Sequence, residues 1–98
     1  MIVGVHHRRV PDFLAERIGD FPGDAFREVA DVEVDGEETL VVLDAAYRLT
    51  QNHARPWTFG EQVRLHAAAD ARSTSVGDVL MLGDRAYAVL PTGFKRLH

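Results

Sequence analysis

The chain has 98 residues with a net charge of −4; 46% of the residues are hydrophobic, 27% are charged and none is cysteine. This composition is typical of a globular protein, so it excludes a disordered chain and predicts a single domain over residues 1–98. The missing cysteines exclude disulfides and thiolate metal sites, and the longest apolar run is too short to cross a membrane. Because the apolar stretch after Met1 is also too short for a signal peptide, we expect a soluble, cytoplasmic protein.

The first third of the chain predicts a strand, a helix and a second strand. Residues 2–6 form a short strand, and residues 11–18 follow as a helix with a proline in its first turn and Gly19 as its stop. From Phe26 to Asp35, apolar and polar residues alternate, which predicts a half-buried strand. Its apolar face contains one charged residue, Glu28, near the start of the strand.

The segment after Asp35 has two interpretations. Residues 39–43 are rich in β-branched side chains and could form a strand after a hairpin turn at Asp35-Gly36. We favour a helix that ends near Gln51, because apolar residues recur at steps of three and four, and because Glu37 and Glu38 are favourable in a first turn. The expected apolar face of this helix consists of Leu40, Leu43, Ala46, Tyr47 and Thr50.

The last quarter of the chain predicts a β-hairpin. Two Gly-Asp turns separate apolar runs, which indicates strands over residues 78–82 and 85–90, followed by a short strand over residues 94–97. Residues 53–71 carry little signal beyond a short extended piece at residues 63–66. The predicted fold class is α+β: a small antiparallel sheet with two short helices on one face and a C-terminal β-hairpin.

Several of these segments share a spaced pattern with a known family. The pattern is Ala46-Tyr47-x-Leu49-Thr50-x-Asn52, then Trp57, then residues 72–79 (Arg-Ser-Thr-Ser-Val-Gly-Asp-Val), then Tyr87 and Gly93-Phe94. It resembles small accessory proteins of actinobacterial phages, plasmids and integrative elements, and its closing segment is similar to the YodL-like modules of mobile-element proteins. The resemblance covers residues 26–97 and implies an accessory protein of a mobile element, but it assigns no activity to any residue.

No motif in the sequence indicates a catalytic or metal site. His6 and His7 face opposite sides of a strand, and the other three histidines have no partner at the spacing of a helical metal motif. The hydroxyls of residues 73–75 could bind phosphate, but a phosphate loop would carry a lysine and a following helix, so we favour a turn-capping role for them. We therefore expect no enzymatic activity, no cofactor and no metal.

Charge is distributed unevenly along the chain. Residues 20–44 contain nine acids and one base, a net charge of −8, whereas the remaining residues have six acids and ten bases, a net charge of +4. Asp31, Glu33 and Asp35 alternate on one face of a predicted strand, and Glu37 and Glu38 follow. Such a face attracts a protein with a basic surface. A solvated edge that discourages strand aggregation explains the same residues equally well.

Trp57, in a predicted loop beside Pro56, is either an exposed anchor for a partner or a cover for the core. The candidate partner-binding residues are Asp31, Glu33, Asp35, Glu37, Glu38 and Trp57. We predict a non-enzymatic protein–protein interaction factor of a mobile element, such as an anti-CRISPR inhibitor of a host defence complex. The alternative is a small nucleic-acid-binding accessory protein, which the acidic composition disfavours. That alternative would use Arg8, Arg9, Arg72, Arg85, Lys95 and Arg96.

Overall fold

The computed structural model describes residues 1–11, 20–53, 55–66 and 72–97, and these form a six-stranded antiparallel sheet with a helix against it. The predicted helix over residues 11–18 falls almost wholly outside the described residues. The strands are β1 (Ile2–Arg8), β2 (Phe26–Glu33), β3 (Val63–Leu65), β4 (Val79–Leu82), β5 (Arg85–Val89) and β6 (Phe94–Arg96). Helix α1 spans Thr39–Leu49, and a single 3₁₀ turn spans Trp57–Phe59.

The sheet has the strand order β3-β2-β1-β4-β5-β6, and every neighbouring pair is antiparallel. The N-terminal strand β1 is therefore central, with β2 on one side and the C-terminal hairpin on the other. The small antiparallel sheet and its C-terminal hairpin are confirmed. The two-helix detail is not, because α1 is the one α-helix of the described residues and the 3₁₀ turn was not predicted.

The main core lies between α1 and one face of the sheet. Val3 and Val5 of β1 are completely buried there, because alternate residues of a strand point to the same face. The helix contributes its buried side chains Val42, Leu43 and Ala46. A second, smaller cluster contains the buried residues Phe21, Phe26, Val79 and Ala86.

A β-bulge in β2 explains the charged residue on its predicted apolar face. Val5 lies opposite Ala30, but the next residue, His6, lies opposite Glu28, so Val29 is the extra residue. The predicted alternation is right from Ala30 onward. It is wrong before the bulge, because Val29 is buried in the main core and Phe26 belongs to the second cluster.

The helical interpretation of residues 39–43 is correct, but one predicted contact of this helix is wrong. Leu40 is 61% exposed, and Val42 is buried instead. The helix also begins later than its acidic residues: Glu38 is the N-cap residue and makes no side-chain capping hydrogen bond. No helix in the described part of the chain is long and apolar enough to cross a membrane.

The two leucines of opposite burial provide a matched test of the core. Leu80 of β4 is completely buried, so Leu80→Ala should lower the free energy of unfolding by about 2–5 kcal/mol. Leu40→Ala removes the same atoms from an exposed site and should change stability by about 0.5 kcal/mol or less. Urea denaturation of both variants measures this difference. Equal losses would contradict the assignment of β4 to the core.

Candidate functional site

The described residues enclose a carboxylate, Asp78, that has no exposed surface. It follows Gly77 and immediately precedes β4. Its Oδ1 accepts hydrogen bonds from the backbone N–H of Arg8 (2.8 Å) and from Nη2 of Arg72 (2.7 Å). Its Oδ2 accepts hydrogen bonds from the backbone N–H of Ser75 (2.8 Å) and from Nη1 of Arg72 (2.6 Å). This bidentate, charge-assisted arrangement compensates the cost of burying the charge.

The hydroxyl-rich segment before Asp78 forms a turn. The backbone N–H of Asp78 donates to the carbonyl of Ser75 (3.1 Å), and Gly77 has a φ of +91°, which favours glycine, as predicted. The prediction that the hydroxyls of Ser73 and Thr74 cap this turn is wrong. Ser73 Oγ accepts from the backbone N–H of Asn52 (2.7 Å), and Thr74 Oγ1 is hydrogen-bonded to His7, so both link the turn to distant parts of the chain.

Arg8 is an almost fully buried arginine at the end of β1, with 2% of its surface exposed. Its Nη1 donates to Asp20 (2.7 Å) and its Nε donates to the carbonyl of Gly77 (3.3 Å), while its guanidinium lies 4.5 Å from the ring centre of Phe26. Arg72 is held by Asp78 in the same network. Two of the six bases that the nucleic-acid alternative requires are thus engaged inside the protein.

His7 lies beside this network and is 2% exposed. Its Nε2 is 2.9 Å from Thr74 Oγ1, whereas its Nδ1 is buried without a hydrogen-bond partner in the described residues. Burial lowers the pKa of His7 from 6.5 to about 4; Asp78 opposes this shift, and the positive charge of Arg72 adds to it. The imidazole is therefore neutral near pH 7.

Four arginines and His7 line a cavity of about 320 Å³, which we call the basic pocket. The described residues that line it are His7, Arg8, Arg9, Arg27 and Arg72. Arg27 reaches it because it lies opposite His7 in the β1–β2 register. Sequence reasoning missed this pocket, because its residues come from β1, β2 and the segment before β4. The adjacent Arg8-Arg9 pair was the only local signal.

The predicted acidic stripe is not a continuous strand edge. Asp31 and Glu33 lie on β2, which has hydrogen-bonded neighbours on both sides. Asp31 is half-buried, and its Oδ2 is 2.8 Å from Nε2 of His66. Asp35, Glu37 and Glu38 are exposed, but they follow the strand instead of extending it.

Part of this acidic set lines a groove between α1 and the segment after β2. The groove has a volume of about 530 Å³, and we call it the acidic groove. Its lining consists of Glu33, Val34, Asp35, Ala45, Arg48, Leu49, Glu61 and Gln62. Arg48 is paired with Asp44 one helical turn away, at 3.1 Å, so the three carboxylates dominate the charge of the groove.

Trp57 is buried, with 4% of its surface exposed, so its prediction as an exposed partner anchor is wrong. Its indole Nε1 donates to the carbonyl of Arg72 (2.8 Å), and its backbone N–H donates to Oδ1 of Asn52 (2.9 Å). Its large apolar ring joins the main core. The alternative interpretation, a tryptophan that covers the core, is correct.

The β2–β3 pairing brings together three metal-ligating side chains that the sequence separates. Ligand atoms of Glu28, Asp31 and His66 lie within 4.8 Å of one another. Two carboxylates and an imidazole could hold a divalent cation. The prediction of no metal site rested on spacing within single elements, and such spacing does not reveal a cross-strand set. The hydrogen bond between His66 and Asp31 already gives these two side chains a structural role.

Comparison of the chain with family models, with curated proteins and with solved structures finds no match.

Removal of the buried charge tests the network. Asp78→Asn replaces a carboxylate oxygen by an NH₂ group that faces the donors of Arg72. We expect a loss of about 3 kcal/mol in the free energy of unfolding, the lower end of the range for a broken buried pair, because Arg72 retains access to water. Asp84→Asn, at an exposed turn residue, should change stability by about 0.5 kcal/mol or less. Similar losses in both variants, measured by chemical denaturation, would contradict the role of Asp78.

The lowered pKa of His7 predicts a pH dependence of stability. Between pH 6.5 and about 4 the unfolded state binds a proton at His7 that the folded state does not bind, so acidification destabilises the fold. A group whose pKa is lowered to about 4 in the folded state should contribute a few kcal/mol to stability, lost progressively as the pH falls through this range. Denaturation of the wild type and of His7→Gln at each pH isolates this contribution, since other groups titrate in both proteins. If the stability of the two proteins falls in parallel with pH, His7 is not buried in its neutral form.

Proposed function

We propose that the protein is a non-enzymatic interaction factor of a mobile genetic element and that it binds the basic surface of a partner protein through the acidic groove. The observation that carries this proposal is the convergence of Glu33, Asp35 and Glu61 on one groove, whose one base among the described residues, Arg48, is paired with Asp44. These carboxylates make no ion pair within the described residues. They are exposed and remain available to an incoming cation.

The groove combines charge with apolar surface, as recognition of lysine or arginine requires. Ala45 and Leu49 of α1 form part of its wall, next to the carboxylates of Glu33 and Asp35. A long basic side chain buries its methylene stem against apolar surface while its charged end reaches an acid. Arginine adds a planar set of donors that matches a carboxylate in two hydrogen bonds.

The surface next to the groove also combines acidic and apolar side chains. Glu37 and Glu38 are exposed just before α1, and the following residues Leu40 and Val41 are 61% and 54% exposed. Exposed apolar side chains with a polar rim are typical of protein–protein interfaces. The net charge of −8 over residues 20–44 would also accelerate the approach of a basic partner.

The chemistry of the groove favours a partner that handles nucleic acid, because such proteins concentrate lysine and arginine on one face. We expect a host defence complex of the kind that anti-CRISPR proteins inhibit to present such a basic face. The resemblance to accessory proteins of mobile elements supports the same assignment. Direct binding of nucleic acid is disfavoured, because the acidic groove repels phosphate and because Arg8 and Arg72 are engaged internally.

Charge reversal in the groove tests the proposal. Asp35→Lys combined with Glu61→Lys should abolish partner capture from a cell lysate, as measured by quantitative mass spectrometry on immobilised protein. Asp24→Lys combined with Asp84→Lys changes the net charge by the same amount at exposed residues outside the groove and should retain the partner.

Capture by the wild type should also decrease at high salt, because exposed charges are screened. Both double variants should keep the wild-type circular dichroism spectrum. If the two variants capture the same proteins as the wild type, the acidic groove is only a solvated surface.

A further inference from the structure

The basic pocket plays no part in the function proposed above, and its chemistry points to a ligand of its own. Its volume of about 320 Å³ lies at the low end of the range for small-molecule sites, roughly 300–1,000 Å³. No carboxylate from the described ranges lines it. Two of its four arginines, Arg8 and Arg72, are paired with Asp20 and Asp78, so Arg9 and Arg27 provide the local field that attracts an anion.

Two of these arginines retain hydrogen-bond donors. The guanidinium of Arg27 makes no hydrogen bond or ion pair to any residue that the structure describes, and the side chain of Arg9 uses only its Nε, which donates to the carbonyl of Asp24 (3.0 Å). Arg8 and Arg72 differ, because Asp20 and Asp78 offset their charges. Among the described residues, no carboxylate pairs with Arg9 or Arg27, so these two arginines supply the positive charge of the pocket.

His7 also lines the pocket. Its Nδ1 is buried and has no hydrogen-bond partner among the described residues. This atom is a donor in the tautomer in which Thr74 donates to Nε2, and an acceptor in the other tautomer. Buried polar atoms are rarely left without a hydrogen bond, so Nδ1 is an unsatisfied group on a residue that lines the pocket.

We infer that the basic pocket binds the phosphate group of a small phosphorylated molecule. A phosphate dianion matches the two uncompensated guanidinium charges, and arginine binds phosphate oxygens through paired N–H donors. The site is separate from the acidic groove, so the failure of either assignment leaves the other intact.

Titration of the full chain with inorganic phosphate, and separately with adenosine monophosphate, tests the inference. We expect saturable changes in the imidazole nitrogen resonances of His7 and a melting temperature that rises with ligand concentration. A bound dianion should also raise the pKa of His7 from about 4, because it stabilises the imidazolium.

Arg27→Gln should weaken phosphate binding roughly tenfold, the loss expected when a charged hydrogen-bonding group is removed. Its melting temperature without ligand should be unchanged, because the guanidinium of Arg27 has no partner in the described part of the chain and the substitution leaves its backbone pairing with His7 in place. Arg64→Gln is the matched control: Arg64 is exposed on β3 outside the pocket, and its substitution should leave the affinity unchanged.

Equal affinities for phosphate and adenosine monophosphate would show that the pocket recognises the phosphate group alone, and tighter binding of the nucleotide would show that it also contacts the rest of the ligand. Both results support the inference. It is overturned if His7 responds to neither compound, or if Arg27→Gln and Arg64→Gln weaken binding equally. Binding only of a single-stranded oligonucleotide without a terminal phosphate, with a steep salt dependence, would overturn it in favour of nucleic acid.

Discussion

The buried carboxylate of Asp78 connects three parts of the chain: the end of β1, the turn before β4 and Arg72. One oxygen receives the backbone N–H of Arg8 at the end of β1, and the other receives the backbone N–H of Ser75 in the turn before β4. Arg72 neutralises the charge with two hydrogen bonds and also donates to the carbonyl of Arg8 (2.9 Å). Because an unpaired buried charge costs several kcal/mol, this network favours one register of β1 against β4.

That register places the two charged surfaces of the protein. His7, near the C-terminal end of the central strand β1, and Arg9, just after that strand, line the basic pocket. Arg27 of β2 lines it too, because it lies opposite His7 in the β1–β2 pairing. The other end of β2 leads into the acidic groove, where Glu33 and Asp35 lie beside α1. Surfaces of opposite sign therefore lie toward opposite ends of the same strand pair. A small acidic protein can in this way present separate sites for a basic partner and for an anionic ligand.

Much of the fold was predictable because it depends on local periodicity and on turn chemistry. The Gly-Asp turns, the apolar runs of β4 and β5 and the three- and four-residue steps of α1 are short-range signals, and the structure has these elements within one or two residues of the prediction. The partner-binding site was less predictable. The acidic residues were visible as a charge excess, but Asp31 is half-buried against His66, and Trp57 is inside the core.

The sequence by itself determined the strands β1, β2, β4 and β5, where the last hairpin turns and that residues 20–44 carry excess negative charge, since each property resides in neighbouring residues. Only the tertiary structure decided the bulge at Val29, the exposure of Leu40 and the assembly of the basic pocket. These depend on which strands pair and on how α1 packs. A shift of one residue in a strand reverses the face of every side chain. His7 and Thr74 are 67 residues apart in the sequence, and no sequence pattern predicts their contact, which forms only in the folded chain.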